Sequence, residues 1–158
     1  MDCRGKRVNV KARNMHGVRH NVFAAMSSDG LCAVEVFRSN GNLETLMYFL
    51  RRHLIPVMHP FPMPNSVLLL DNARIHHASH DLLTRVCRAY GIKVLFVPPY
   101  SPDMNPIELM FGVVNSHIAR EYRQLRDAEH PHEEIRRVFR EVGTWRNAHA
   151  WMRKCGYM

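Results

Sequence analysis

Two acidic residues stand where a carboxylate can be put to work. Asp71 directly follows the apolar run Val67-Leu68-Leu69-Leu70, and Glu108 follows the stiff segment Pro98-Pro99-Tyr100-Ser101-Pro102 and the pair Asn105-Pro106. Active sites in α/β folds collect outside the carboxyl ends of strands, so an acid one residue past a buried strand is well placed. Glu108 comes after the next strand, in the first turn of a helix, where a neighbouring strand end can bring it close to Asp71. Converging carboxylates bind hard divalent ions such as Mg²⁺ through oxygen ligands and waters. Two such ions about 3.5 to 4 Å apart activate water and stabilise the leaving oxygen in phosphodiester cleavage. A structural role accounts for the same residue types. An Asp after a strand forms turns, and a Glu at the third helical position completes a capping box with Asn105. Spacing alone leaves both readings open.

The elements that would position these acids can be read from periodicity. His20 to Ser27 has strand character, Ser27-Ser28-Asp29-Gly30 is a turn signal, and Leu31 to Phe37 is a second strand, which predicts a hairpin. From Asn42 to Val57, Leu43, Leu46, Met47, Leu50, Leu54 and Val57 follow the spacing of an amphipathic helix, stopped by Pro60, Pro62 and Pro64. Val67 to Leu70 is a short buried strand. Ala78 to Tyr90 is a helix closed by Gly91, and Val94 to Val97 is the next strand. Asn105 as cap, Pro106 at the first helical position and Glu108 at the third start another helix, with Ile107, Met110, Phe111, Val114 and Ile118 as its buried stripe. Glu133 to Val142 and Trp145 to Lys154 read as further helices, and Trp145, Trp151 and the ten Met residues read as core filling. Two strands, a helix, then strand, helix, strand, helix predicts a mixed sheet flanked by helices.

The 158 residues suffice for one domain, and 46% apolar with 23% charged residues is ordinary globular usage. No apolar run approaches the roughly 20 residues that span a bilayer, and Met1 to Arg7 lacks a signal-peptide core, so the expectation is a soluble intracellular protein. Cys3, Cys32, Cys87 and Cys155 are scattered without a C-x-x-C pair, which argues against a zinc ribbon or a disulfide framework and for reduced thiols. The net charge of +8 is uneven: residues 1 to 20 carry +5, residues 21 to 118 are neutral, and residues 119 to 158 carry +3. A basic rim around a neutral body suits a polyanion such as nucleic acid, and it also suits plainly solvated ends.

The stretch Val67-Leu68-Leu69-Leu70-Asp71-Asn72-Ala73-Arg74-Ile75-His76, followed by Val94-Leu95-Phe96-Val97-Pro98-Pro99-Tyr100-Ser101-Pro102-Asp103-Met104-Asn105-Pro106-Ile107-Glu108, resembles the DDE transposases of the mariner-like superfamily. A weaker likeness runs from about Arg4 to Glu121. The resemblance implies a ribonuclease H-like fold and a nuclease that cuts DNA at transposon ends and joins it to a target, using Mg²⁺ or Mn²⁺ held by three acids. Asp71 would be the second acid and Glu108 the third. Asn72 and Asn105 would orient them as turn and cap, and His76 would hold Asp71 or a phosphate unless it serves a helix start or the surface. His77 and His80 lie near it without the carboxylate set a metal cluster needs.

The first acid of such proteins ends an earlier strand, and this chain offers no counterpart. Asp2 follows no apolar strand, and Asp29 falls in the hairpin turn. The expectation is therefore an amino-terminally truncated ribonuclease H-like domain lacking its first, central strand, with residues 1–121 as the partial catalytic domain and 122–158 as a helical extension. The loss would expose unpaired backbone. Lys6 to Lys11 (KRVNVK) alternates polar and apolar and can serve poorly as a replacement strand, or the hairpin can pair with the Asp71 strand, or the chain is unstable. The resemblance also implies DNA as partner, no membrane, a homodimer as in related transposases, and the nucleus as location in a eukaryote or the cytoplasm otherwise. The alternatives are a catalytically inactive nucleic-acid-binding remnant and a transposon fragment with no present role.

Overall fold

A computed structural model of the chain describes residues 20–38, 41–70, 80–98 and 101–157. Strands β1 (Asn21–Ser27) and β2 (Gly30–Phe37) form the expected antiparallel hairpin, with Asn21 opposite Phe37 and a bulge between Ala25 and Met26. The Asp29 backbone N–H donates to Ser27 Oγ at 3.1 Å, and Gly30 takes a φ of +126°. A side chain there would be strained by the backbone and would meet the Gly143 carbonyl at 2.7 Å.

Helix α1 (Leu43–Phe49) starts at a reciprocal cap: Thr45 N–H donates to Asn42 Oδ1 and Asn42 N–H to Thr45 Oγ1, each at 2.9 Å. It continues as a π turn (Leu50–Leu54) and a 3-10 turn (Ile55–Val57) rather than as one α-helix to Val57. The sequence gives the reason. Pro56 has no N–H to donate and its ring crowds the carbonyl four residues back, and the backbone widens just ahead of it, with the Ile55 N–H reaching Leu50 O.

Strand β3 (Val67–Leu70), helix α2 (His80–Ala89) and strand β4 (Lys93–Phe96) form a parallel unit in register from Val67 opposite Lys93 to Leu70 opposite Phe96. Gly91, at φ +72°, ends α2 as the sequence predicts. Helices α3 (Pro106–Arg120), α4 (Tyr122–Arg126), α5 (Pro131–Val142) and α6 (Trp145–Lys154) complete the described chain. No helix among the described residues is long and apolar enough to cross a membrane.

Period-two alternation sorts the hairpin into two cores. Phe23, Ala25, Ala33 and Phe37 face a cluster built from α1 and its continuation, β3 and α2, around Phe49, Leu50, Leu83 and Cys87. Val22, Ala24, Val34 and Val36 face a second cluster built from α3 and α5, around Met110, Val114, Val138 and Phe139. The hairpin is thus a middle layer with helices on both sides. Glu35, the one charged residue of β2, is bridged by Arg136 of α5 and lies 3.1 Å from His53 Nε2.

The strands form two separate two-stranded sheets, β1 with β2 and β3 with β4, within a mixed α/β arrangement. Among the described residues the expected single mixed sheet is not closed: the hairpin does not pair directly with β3, and no described strand bridges the two. Trp145 also departs from expectation: at 60% exposure it stands on the surface beside Arg146 rather than filling the core, whereas Trp151 packs against the second cluster. Cys32, Cys87 and Cys155 are free thiols; Cys3 lies outside the described residues.

Candidate active site

Leu70 is the last residue of β3, and Asp71, Asn72 and His76 lie outside the described residues. The other two candidates are described. Asn105 precedes Pro106 in an extended conformation (φ −115°, ψ 95°), as a residue before proline prefers, and Pro106 opens α3. Glu108 falls in the first turn of α3, where the helix dipole favours a negative charge. Met110 and Val114 anchor the inner face of α3 at zero exposure. Glu108, two residues before Met110, is turned by about 200° away from it and is exposed.

The expected capping box is not formed. The Asn105 side chain makes no cap bond, and the Glu108 N–H instead donates to the Asn105 backbone carbonyl at 3.1 Å. Asn105 is one of the two buried polar residues among those described, 9% exposed, and its side of the helix start lines a cleft rather than folding back over the first turn. It starts α3 by position and not by a side-chain bond.

That cleft has a volume of about 940 Å³, and Leu70, Asn105 and Glu108 all open on it. The carboxyl end of β3 and the first turn of α3 therefore share one cavity. Among the described residues no group of three His, Cys, Asp or Glu side chains is arranged to hold a metal ion. Glu108 supplies one exposed oxygen donor of the kind a hard cation takes, and one carboxylate is a ligand rather than a site.

The carboxyl terminus holds this region in a way no motif announced. Tyr157 lines the cleft, and its hydroxyl donates to the Met104 carbonyl at 2.7 Å, in the 3-10 turn Pro102–Met104 that leads into Asn105. Desolvation of the hydroxyl, with Cys155 nearby, raises the Tyr157 phenol above its usual value, although the residue as a whole is exposed. A lone Tyr in a polar tail carries no periodic or motif signal, so sequence reasoning passed over it.

The model of a family described as DDE superfamily endonuclease matches residues 1–130. Nothing matches the chain among curated proteins or among solved structures.

Proposed function

Because the chain belongs to the DDE superfamily of endonucleases, whose nuclease domain implies a DNA substrate, we propose that it is a mariner-like transposase domain that cleaves DNA with a divalent metal, with Asp71 and Glu108 as ligands. The observation that carries the reading is the shared cleft: Leu70, the residue before Asp71, and Glu108 open on the same cavity. Mg²⁺ or Mn²⁺ held there would supply Lewis-acid activation of water and of the leaving oxygen. The chain's own residues do the rest. Pro106 and the buried stripe of α3 fix the direction of Glu108, and Tyr157 fixes the turn that precedes it. Asn72 and His76 are proposed to orient Asp71 and to hold a phosphate. Asp71 and Glu108 match the second and third of the three acids that the resemblance implies.

The test is a nicking assay on supercoiled plasmid with Mg²⁺ or Mn²⁺, comparing the chain with Asp71→Asn and Glu108→Gln. Metal-dependent nicking lost in both variants supports the reading. A chain no more active than its variants removes it.

A second reading, a catalytically silent DNA-binding remnant, is supported by a different observation. Arg120, Arg123, Arg140, Arg146, Arg153 and Lys154 are exposed and make no ion pair with the described residues. Binding would then be sequence-independent and fall steeply with salt, because phosphate contacts release condensed counterions. An affinity that stays flat as salt rises argues against it.

A further inference from the structure

Asn105 is buried without being used. It is only 9% exposed, yet its side chain makes no cap bond and no hydrogen bond joins it to any other described residue. Buried side-chain amides are ordinarily bonded, because an unpaired one in an apolar setting is costly. Its oxygen and nitrogen are nevertheless not among the fully enclosed side-chain atoms that lack a partner. The small exposure that Asn105 keeps therefore includes its amide, and the space it opens on is the cleft.

The backbone beside it points the same way. Pro106 has no N–H, and the Glu108 N–H is taken by the Asn105 carbonyl. The Ile107 N–H, between them, has no acceptor among the described residues, and Ile107 lines the cleft as well. α3 is 15 residues long, so its start also presents the positive end of a helix dipole. A backbone donor, an amide donor and a helix N-terminus are thus gathered at one end of a cavity whose lining is otherwise mostly apolar, the usual make-up of a ligand pocket.

Two N–H donors and a helix dipole select an anion. The Glu108 carboxylate, in the same first turn, opposes a bare one. A phosphodiester satisfies both conditions, since its oxygens accept from the donors and share a divalent cation with a carboxylate. We propose that the start of α3 is a phosphodiester-binding subsite, in which Asn105 Nδ2 and the Ile107 N–H donate to the non-bridging oxygens of a DNA phosphate that enters the cleft beside Glu108. The subsite takes its substrate from the nuclease reading above and adds a contact which that reading does not contain. It also accounts for the missing cap bond: an amide kept for a ligand is an amide withheld from its own helix, at some expense of local stability.

Two measurements on the full-length chain test this. In ¹⁵N-resolved NMR spectra the Asn105 side-chain amide is the signal pair absent from Asn105→Ala. Titration with a short DNA duplex in Ca²⁺, a cation that takes oxygen ligands, is expected to shift that pair and the Ile107 amide saturably, whereas inorganic phosphate without Ca²⁺ is expected to leave them in place. In thermal unfolding Asn105→Ala is expected to melt within about 1 °C of the wild type, where loss of a working cap would lower the midpoint by about 2–4 °C. A pair that stays put while other amides shift overturns the subsite and leaves DNA binding standing; a spectrum that the duplex does not alter removes the subsite and the DNA substrate together. Equal shifts with inorganic phosphate overturn the assignment to a phosphodiester. An Asn105→Ala chain that melts lower by the full cap contribution, or does not fold, overturns the proposal too, because the amide would then be holding the fold. A wild type that shifts the pair yet does not nick plasmid keeps the subsite and loses the nuclease.

Discussion

A methyl group added at either of two glycines should act with opposite sign. Gly143 ends α5 at φ −78°, ψ 41°, outside the left-handed region, so its replacement by Ala strains no dihedral and the effect is steric. The new Cβ would sit 2.6 Å from Leu31 Cβ and 2.8 Å from the Phe139 carbonyl oxygen, both closer than atoms approach. Neither contact is the end of a flexible side chain, and the Gly143 carbonyl already accepts from Leu31 N–H at 2.8 Å, so helix end and strand must part. Overpacking of this kind costs about 1–3 kcal/mol. Gly112 lies inside α3, where an added Cβ meets nothing within 4 Å, and Gly→Ala in a helix interior gains about 0.5–1 kcal/mol. At about 2–4 °C per kcal/mol for a chain of this size, Gly143→Ala should lower the melting temperature by roughly 2–12 °C and Gly112→Ala should raise it by roughly 1–4 °C. Thermal unfolding of the purified variants, followed by circular dichroism, reads both. Shifts of the same sign, or a Gly143→Ala protein that melts with the wild type, would refute the close approach of α5 to β2.

Divalent metal offers a separate check on the proposed ligands: roughly 10 mM Mg²⁺ or Mn²⁺ should raise the melting temperature above a matched ionic-strength control, and Asp71→Asn should abolish the rise. His20 and His132 pack edge to face at 4.9 Å, and burial first, with Arg38 and for His20 also the neighbouring His132, depresses both below the ordinary value of 6.5. The unfolded chain then binds the extra protons, so stability is full above about pH 6.5 and falls as pH drops through the folded values; melting curves from pH 8 to pH 5 should show the loss, and His20→Phe should flatten it. Arg136→Leu strips the part-buried Glu35 of its guanidinium partner and should cost about 1–3 kcal/mol by urea unfolding. Tyr157→Phe should lower the stability of the carboxyl-terminal contact by about 0.5–1.5 kcal/mol and reduce any metal-dependent nicking, since it frees the turn ahead of Glu108.

What was legible in the sequence divides along the range of the interactions involved. Val67–Leu70 and Trp145–Lys154 have the bounds their periodicity predicts, and β1, β2 and β4 differ from prediction by a residue, because apolar pattern and turn chemistry are local. The start of α3 is legible from Asn105-Pro106, yet its capping bond is not, because burial of Asn105 against the cleft is a tertiary matter. Pro56 was visible but read past, since Val57 completed the helical spacing; the π turn ahead of it shows that the missing donor outweighed the pattern. Trp145 looked like core by residue type alone, and its place at the first position of α6 leaves it outside. Strand pairing is the least local property of all, and the division into two sheets is where the local reading ended. Of the candidate site, Glu108 and Asn105 could be located from their motif, whereas Tyr157 reaches Met104, in the turn ahead of them, across 53 residues of sequence.

The position of Glu108 rests on residues beyond those the family model matches. Met110 and Val114, which set the rotation of α3, are covered by Ile135, Val138, Phe139 and Val142 of α5, all past residue 130. Each such side chain stabilises by about 1.5–3 kcal/mol when fully buried, so the four together contribute roughly 6–12 kcal/mol as an upper bound. That is the size of the whole net stability of an ordinary domain, about 5–15 kcal/mol. α5 is in turn tied to the hairpin, through Arg136 to Glu35 and through the Gly143 carbonyl to Leu31. One helix thus holds both the hairpin, through β2, and the helix that presents the acid to the cleft, so the direction of Glu108 depends on α5 as much as on the Asn105-Pro106 motif that begins its own helix.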